Sequence, residues 1–311
     1  MTGSEGLVGV GLVRALARLG HDVVAYDVLR TPAEDIRDAA AVARAVDGVD
    51  GIVHLAALSR VGWGESHSAL TDEVNIGGTE VLVDAAARSP KAPFFLFVSS
   101  REVYGNPDTL PVTEGMPIAP LNTYGRSKAE GERLVQAAAA SGLRTAIIRL
   151  SNVYGNRADH PDRAVPSLLW RALQHTDLTI TGAETFFDFV HVDDCVDGLV
   201  KAVDALSAGR HDLPPVHLTT GVLTSLGQLA TLVCERTASR SVVHVVPARV
   251  FDVEGFVGDP ARARDVYDWQ PTIDLATGVD MLATLMREEG PPPPITVPLS
   301  LPLLSDLSDD V

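Results

Sequence analysis

An α/β fold with a doubly wound, largely parallel sheet and a smaller C-terminal lobe follows from three features of the 311-residue chain. Helix-period segments alternate with short apolar runs rich in β-branched residues. A glycine-rich turn, Thr2-Gly3-Ser4-Glu5-Gly6-Leu7-Val8-Gly9, leads directly into an apolar helix. The segment 94–99 is almost continuously apolar, the pattern of a strand covered on both faces.

In order, 7–19 reads as a helix, 22–26 as a strand, 39–46 as a helix and 51–55 as a strand. The alternation continues with a helix at 72–88, a buried strand at 94–99, a long helix at 124–140 and a strand at 145–150. Beyond residue 155 it becomes less regular, with loops around 156–163, strands at 178–181 and 186–190, and helices from Asp193 and Ser225. We expect residues 1–155 to form the first domain, with 187–220 returning to it. Segments 156–186 and 221–289 are expected to make the smaller lobe. The tail 290–311 carries Pro291 to Pro294, Pro298 and Pro302, so it is expected to be disordered or extended.

With 46% hydrophobic and 21% charged residues the composition is globular, and no apolar stretch reaches the roughly 18 residues of a membrane span. A net charge of −16 repels nucleic-acid polymers, while a local basic pocket for one small phosphate ligand stays compatible with it. Cys195 and Cys234 lie far apart without ligand-like spacing, so neither a disulfide framework nor a metal site is expected. The start lacks the features of a signal peptide, which together with the cysteines predicts a cytoplasmic protein.

Gly3, Gly6 and Gly9 at three-residue intervals suit a dinucleotide: they permit a tight turn and close approach of a pyrophosphate to free N–H groups at a helix start. Asp27 closes the next strand 24 residues after Gly3, near the spacing at which a carboxylate binds the adenosine ribose. A carboxylate there repels a 2′-phosphate, favouring NAD over NADP, although Arg30 nearby weakens the preference. Such a turn should follow a strand, and only Met1 precedes Thr2. The first strand is therefore expected to be truncated; either the start lies upstream or the fold compensates.

Tyr124 and Lys128 are four residues apart at the start of the long helix, which puts both side chains on one face. A free tyrosine with a pKa of about 10 is a poor base, and a nearby ammonium favours its phenolate. Ser100, after the buried strand, is placed to share a hydrogen bond at the same substrate oxygen.

These residues lie within motifs that together resemble the extended short-chain dehydrogenase/reductase family, in particular its nucleotide-sugar epimerase and dehydratase branch. The resemblance spans roughly residues 2–288. It rests on TGSEGLVG at 2–9, Asp27, the Asp35-Ile36 pair, VHLAA at 53–57, VSSREVYG at 98–105, YGRSK at 124–128, RLSNVYG at 149–155, FDFVHVDD at 187–194 and GDPARARDVYDWQP at 258–271. It implies a Rossmann-like domain with Asp35 and Ile36 at the adenine, and Leu55, Ala56, Ala57, Asn75 and Ser99 beside the NAD. It further implies Lys128 on the nicotinamide ribose, Asn152 and Arg249 on a nucleotide-diphosphate sugar, and a homodimer formed through helices 72–88 and 124–140. Phe187 stands where many members carry an arginine, which puts the usual phosphate clamp in doubt.

The shared first step of that branch is oxidation of a sugar hydroxyl, here expected at C4 with Tyr124 as base. Ser100-Arg101-Glu102 resembles the Thr-Asp-Glu run of 4,6-dehydratases and the Thr-Ser-Glu run of uronic acid decarboxylases, with Glu102 retained in both. Arg101 cannot donate a proton at neutral pH, which disfavours standard 4,6-dehydration. Either it binds a substrate carboxylate or it points into solvent. The leading expectation is a 4-epimerase of a UDP- or dTDP-hexose or uronic acid. The alternatives are a dehydratase or decarboxylase using Glu102, a simple NAD(P)-dependent reductase, and a truncated inactive remnant. His54, Asp193, Asp194 and Trp269 are read as structural, with one of the two aspartates capping the helix that follows.

Overall fold

The computed structural model describes residues 1–247 and 253–294. In α1 (Leu7–Arg18) the buried positions Val8, Leu12 and Leu16 recur every fourth residue, so one face turns inward. α2 (Ala39–Val46) is started by Asp38, whose carboxylate accepts from the Ala40 and Ala41 amides. Then come β1 (Gly51–His54), α3 (Val61–Ser66), α4 (Ser68–Asp72), a π-helical turn at Glu73–Gly77 and α5 (Gly78–Arg88). β2 (Phe94–Ser100) runs into a 3₁₀ turn at Arg101–Tyr104, and α6 (Thr123–Ala140) into β3 (Thr145–Leu150). The remainder comprises β4 (Asn152–Tyr154), α7 (Ala164–Leu173), β5 (Leu178–Thr181), β6 (Phe186–Phe187), β7 (Phe189–His191), α8 (Val192–Ser207), β8 (Val216–Leu218), β9 (Thr224–Ser225), α9 (Leu226–Thr237), β10 (Val243–Val246), α10 (Ala261–Tyr267) and α11 (Leu275–Glu289).

The main sheet is parallel, in the order β1-β2-β3-β8. Every residue of β2 is buried because alternate side chains enter different cores. Phe94, Leu96 and Val98 pack with α1 and α8, while Phe95 and Phe97 pack with α2, α5 and α6. Each fully buried phenylalanine contributes about 2 kcal/mol through its removal from water. A third core joins α7, α9 and α11 to β5 and β7.

Next to β1, residues 1–3 occupy the place of the strand that was expected to be truncated. Thr2 bridges both Tyr26 and His54 in parallel sense. Its amide donates to Val53 O and its carbonyl accepts from Leu55 N, while Tyr26 N donates to Met1 O and Gly3 N to Tyr26 O. Three residues thus supply the hydrogen bonds that join 24–26 to the sheet. The expected strand at 22–26 is reduced to this single bridge, because so short a neighbour cannot extend a ladder.

Two other elements differ from expectation. The helix expected at 72–88 belongs to a longer helical run that the π-helical turn interrupts around Asn75. The strand expected at 186–190 is split at Asp188, whose buried carboxylate turns aside to accept from Thr219 Oγ1, from Thr220 N and Oγ1 at 2.8 and 2.7 Å, and from Gly221 N at 2.8 Å. Asp194 likewise does not cap α8. It accepts from Thr272 N and Oγ1 and from Ile273 N, leaving the capping to His191 Nδ1.

Candidate active site

A cleft of about 710 Å³ lies over the ends of β1, β2 and β3 and reaches across to residues of the third core. At one end stands the glycine turn. Gly3 has φ +70°, and a Cβ there would lie 2.6 Å from Ala56 N; a Cβ on Gly9 would lie 2.0 Å from Gly3 O. Gly6 is the N-cap of α1, and no side chain caps that helix start. A cradle this close to backbone, with uncapped helix N–H groups beside it, fits the pyrophosphate of a dinucleotide.

Asp27 lines the cleft beyond this turn, its carboxylate accepting from Glu5 N and Leu29 N. Burial pushes its pKa up, against the pull of those hydrogen bonds. Arg30 is bracketed by Glu5 at 3.3 Å and Glu34 at 3.5 Å, so its charge is engaged by two carboxylates. Asp35 lines the cleft but is tied to Arg37 at 2.7 Å. Burial alone would raise the Asp35 carboxyl, yet the hydrogen bonds from Arg37 outweigh it and hold the pKa low. Ile36 is buried against Gly78.

Leu55, Ala56 and Ala57 form the wall after β1. Behind it runs a polar chain that the sequence did not disclose. Thr79 Oγ1 donates to Asn75 O at 2.6 Å, so its oxygen accepts from His54 Nε2; His54 Nδ1 then accepts from Thr2 Oγ1 at 2.8 Å. Asn75, expected beside the cofactor, is buried directly behind this wall. Its amide brackets the Leu58 backbone and donates to Ser127 Oγ, because the π-helical turn directs it that way.

Ser100, at the end of β2, and Tyr124, at the start of α6, line the same stretch of the cleft. The α6 start that carries Tyr124 is fixed by Asn122, which accepts from Gly125 N at 2.7 Å and donates to Glu102 Oε2 at 2.7 Å. Burial pushes the Tyr124 phenol up to about 12; the neighbouring Ser100 hydroxyl and the charges of Arg163 and Arg101 pull downward, and Glu102 pushes upward. Lys128 follows one turn further along α6. Its ammonium donates to Val98 O at 2.9 Å and lies 6.0 Å from the Tyr124 ring. Burial lowers Lys128 to about 8, with Glu132 opposing. Glu132 in turn accepts from Ser99 Oγ and is held by Arg149 Nε and Nη2 at 2.8 and 2.6 Å.

Arg101 and Glu102 are buried and paired at 2.7 Å. The alternative that Arg101 points into solvent is thereby corrected: its Nε donates to Asn152 Oδ1, and its guanidinium lies 4.6 Å over the Phe187 ring. Asn152 and Phe187 also line the cleft, whereas Arg249 falls outside the described residues. Arg60 and Trp63 face Asp162 and His160 from the opposite side of the cleft, through an ion pair and an edge-on ring contact at 5.3 Å. Arg163, paired with Asp159 at 3.0 Å, was also missed; no spacing in the sequence marks it as a neighbour of Tyr124.

Comparison with known proteins agrees with this geometry. The profile of the NAD dependent epimerase/dehydratase family matches residues 1–214. The chain belongs to that family. Among curated members, it is 30% identical to a UDP-glucose 4-epimerase of Mycolicibacterium smegmatis, over 93% of this chain and 98% of the relative. It is 31% identical to a dTDP-glucose 4,6-dehydratase of Streptomyces griseus, over 90% of each. A UDP-glucose 4-epimerase of Thermotoga maritima crystallised with UDP-glucose superposes with a TM-score of 0.85 at 26% identity, covering 92% of this chain and 97% of that one. A Streptomyces venezuelae dTDP-glucose 4,6-dehydratase with NAD bound gives 0.84 at 27%, covering 93% and 96%. As a family member the chain is an NAD-dependent enzyme with the Rossmann-like fold expected from its motifs. Among the described residues no helix is long and apolar enough to cross a membrane.

Proposed function

We propose that this enzyme interconverts a nucleotide-diphosphate sugar and its 4-epimer through a transient 4-keto sugar. The observation that carries the reading is the convergence of Ser100, at the strand end, with Tyr124 and, one helical turn away, Lys128 on one cleft. Both kinds of relative act on glucose linked to a nucleoside diphosphate, and one solved neighbour was crystallised with UDP-glucuronic acid as well as with UDP-glucose.

In this reading Gly3, Gly6 and Gly9 accommodate the pyrophosphate of NAD, Asp27 takes the adenosine ribose, and Lys128 takes the nicotinamide ribose. Asp35, Ile36, Leu55, Ala56 and Ala57 shape the rest of the dinucleotide site. Bound NAD supplies a hydride acceptor that returns the hydride. Ser100 positions the sugar hydroxyl and Tyr124 carries its proton, while Asn152 and Arg249 hold the nucleotide-sugar. Arg30 bracketed by two acids supports NAD rather than NADP.

Epimerisation is preferred to elimination because both Glu102 oxygens are occupied, by Arg101 and by Asn122, so Glu102 acts as an anchor rather than a proton carrier. A homodimer through α5 and α6 is supported by the family resemblance of those helices, and sedimentation velocity would measure it.

The test is to denature the purified protein, quantify released NAD, and follow UDP- and dTDP-sugars by mass spectrometry. Near-stoichiometric NAD with a product of unchanged mass is expected. Loss of water or CO₂ would move the assignment to a dehydratase or decarboxylase, and net NADH release would move it to a simple dehydrogenase.

A further inference from the structure

Arg101 is 9% exposed, yet it is not fully satisfied. Its Nε donates to Asn152 Oδ1 and its Nη2 pairs with Glu102, while Nη1 is buried and has no partner. The guanidinium plane rests on Phe187, which fixes its direction within the cleft wall. Burying a charged N–H group without an acceptor is costly, so an orphan in a cleft wall marks a place for a partner from outside the chain.

We propose that Arg101 reads a carboxylate, and that the substrate class of this site is a nucleotide-linked uronic acid rather than the neutral hexose. This rests on the reading of the cleft as a nucleotide-sugar site. The missing partner must accept hydrogen bonds. A carboxylate only accepts, and it brings the opposite charge; a sugar hydroxyl adds a proton that needs an acceptor of its own. Burial and the charge of Arg163 both oppose the ionisation of Arg101 while Glu102 supports it, so Glu102 offsets part of the charge and a second carboxylate on Nη1 would relieve what burial and Arg163 impose.

Connectivity agrees. If Ser100 and Tyr124 engage the 4-hydroxyl, the group on the adjacent ring carbon is C6, the carbon that is a carboxylate in a uronic acid. Arg101 is the next residue after Ser100. Phe187 and Asn152 are then positioning residues that hold the guanidinium edge toward that group.

The experiment compares kcat/KM for UDP-glucuronic acid and UDP-glucose, each also as the dTDP form, in NAD-loaded wild type, Arg101→Gln and Arg101→Lys. We expect wild type to favour the uronic acid at least tenfold. Removing one charge-assisted pair should cut the uronic acid value about 10- to 100-fold in Arg101→Gln and change the hexose value less than about threefold. Arg101→Lys keeps the charge and should fall between; if the Gln variant does not fold, this variant carries the same comparison. Preference of wild type for the hexose, or an equal fall for both sugars, overturns the proposal while leaving the epimerase reading intact. Absence of turnover of all four sugars overturns both.

Discussion

Tyr124 rests as a neutral phenol because burial holds its proton up to about 12. Tyr124→Phe keeps the ring and loses the proton carrier, so turnover should drop about 10²- to 10⁴-fold while bound NAD per chain stays unchanged. A variant that converts sugar at the wild-type rate would remove Tyr124 from its proposed role. Lys128 makes the opposite bargain. Its folded pKa of about 8 lies below the ordinary 10.5, so the unfolded chain binds that proton more tightly. Stability should therefore rise between about pH 8 and 10.5, and be lowest below 8 where the buried charge must be carried. Urea unfolding of wild type and Lys128→Met at pH 7.5 and 10 checks this. The Met variant should lose that increment, and at pH 7.5 it should match or exceed wild-type stability by about 1–2 kcal/mol. At this scale the spacing of Tyr124 and Lys128 was legible, since helical geometry alone puts them on one face. The direction of Arg101, the chain through His54 and the tie of Asn75 to Ser127 were not, because each depends on a partner distant in sequence.

Elements whose character is local came through nearly intact. α2 and β3 match their expected bounds because a capping aspartate, or burial on both faces, leaves its mark in consecutive residues. The segment 22–26 looked like a strand by composition, but a strand is defined by its neighbour, and here that neighbour is three residues long. The split at Asp188 was hidden for a similar reason: the donors that draw its carboxylate aside lie at 219–221. The glycine turn offers the sharpest test of an element. In Gly9→Ala the new methyl meets Gly3 O and the Ser4 backbone, so the turn must open. We expect a loss of about 2 kcal/mol or more in stability and loss of retained NAD, read by calorimetry and by nucleotide release. Unchanged NAD content would show that the turn does not set the dinucleotide site.

Across the whole molecule, Asp188 is the point where the β6–β7 chain is fastened to the turn after β8, and so to the main sheet. Asp188→Ala strands several buried donors at once and should cost more than about 3 kcal/mol, with Asp188→Asn milder because the amide still accepts. Thermal unfolding of the two variants compares them, and an Ala variant as stable as wild type would show that the junction carries no load. β8 brings the chain back to the main sheet, and the side chain that secures this junction left no mark in the sequence because its donors lie some thirty residues away. The Arg60–Asp162 pair links the segment after β1 to the one before α7, and has its own consequence. Both side chains line the cleft, so the pair ties its two walls together. An exposed ion pair weakens as salt rises, so NAD exchange should quicken with ionic strength in the wild type and lose that dependence in Asp162→Asn.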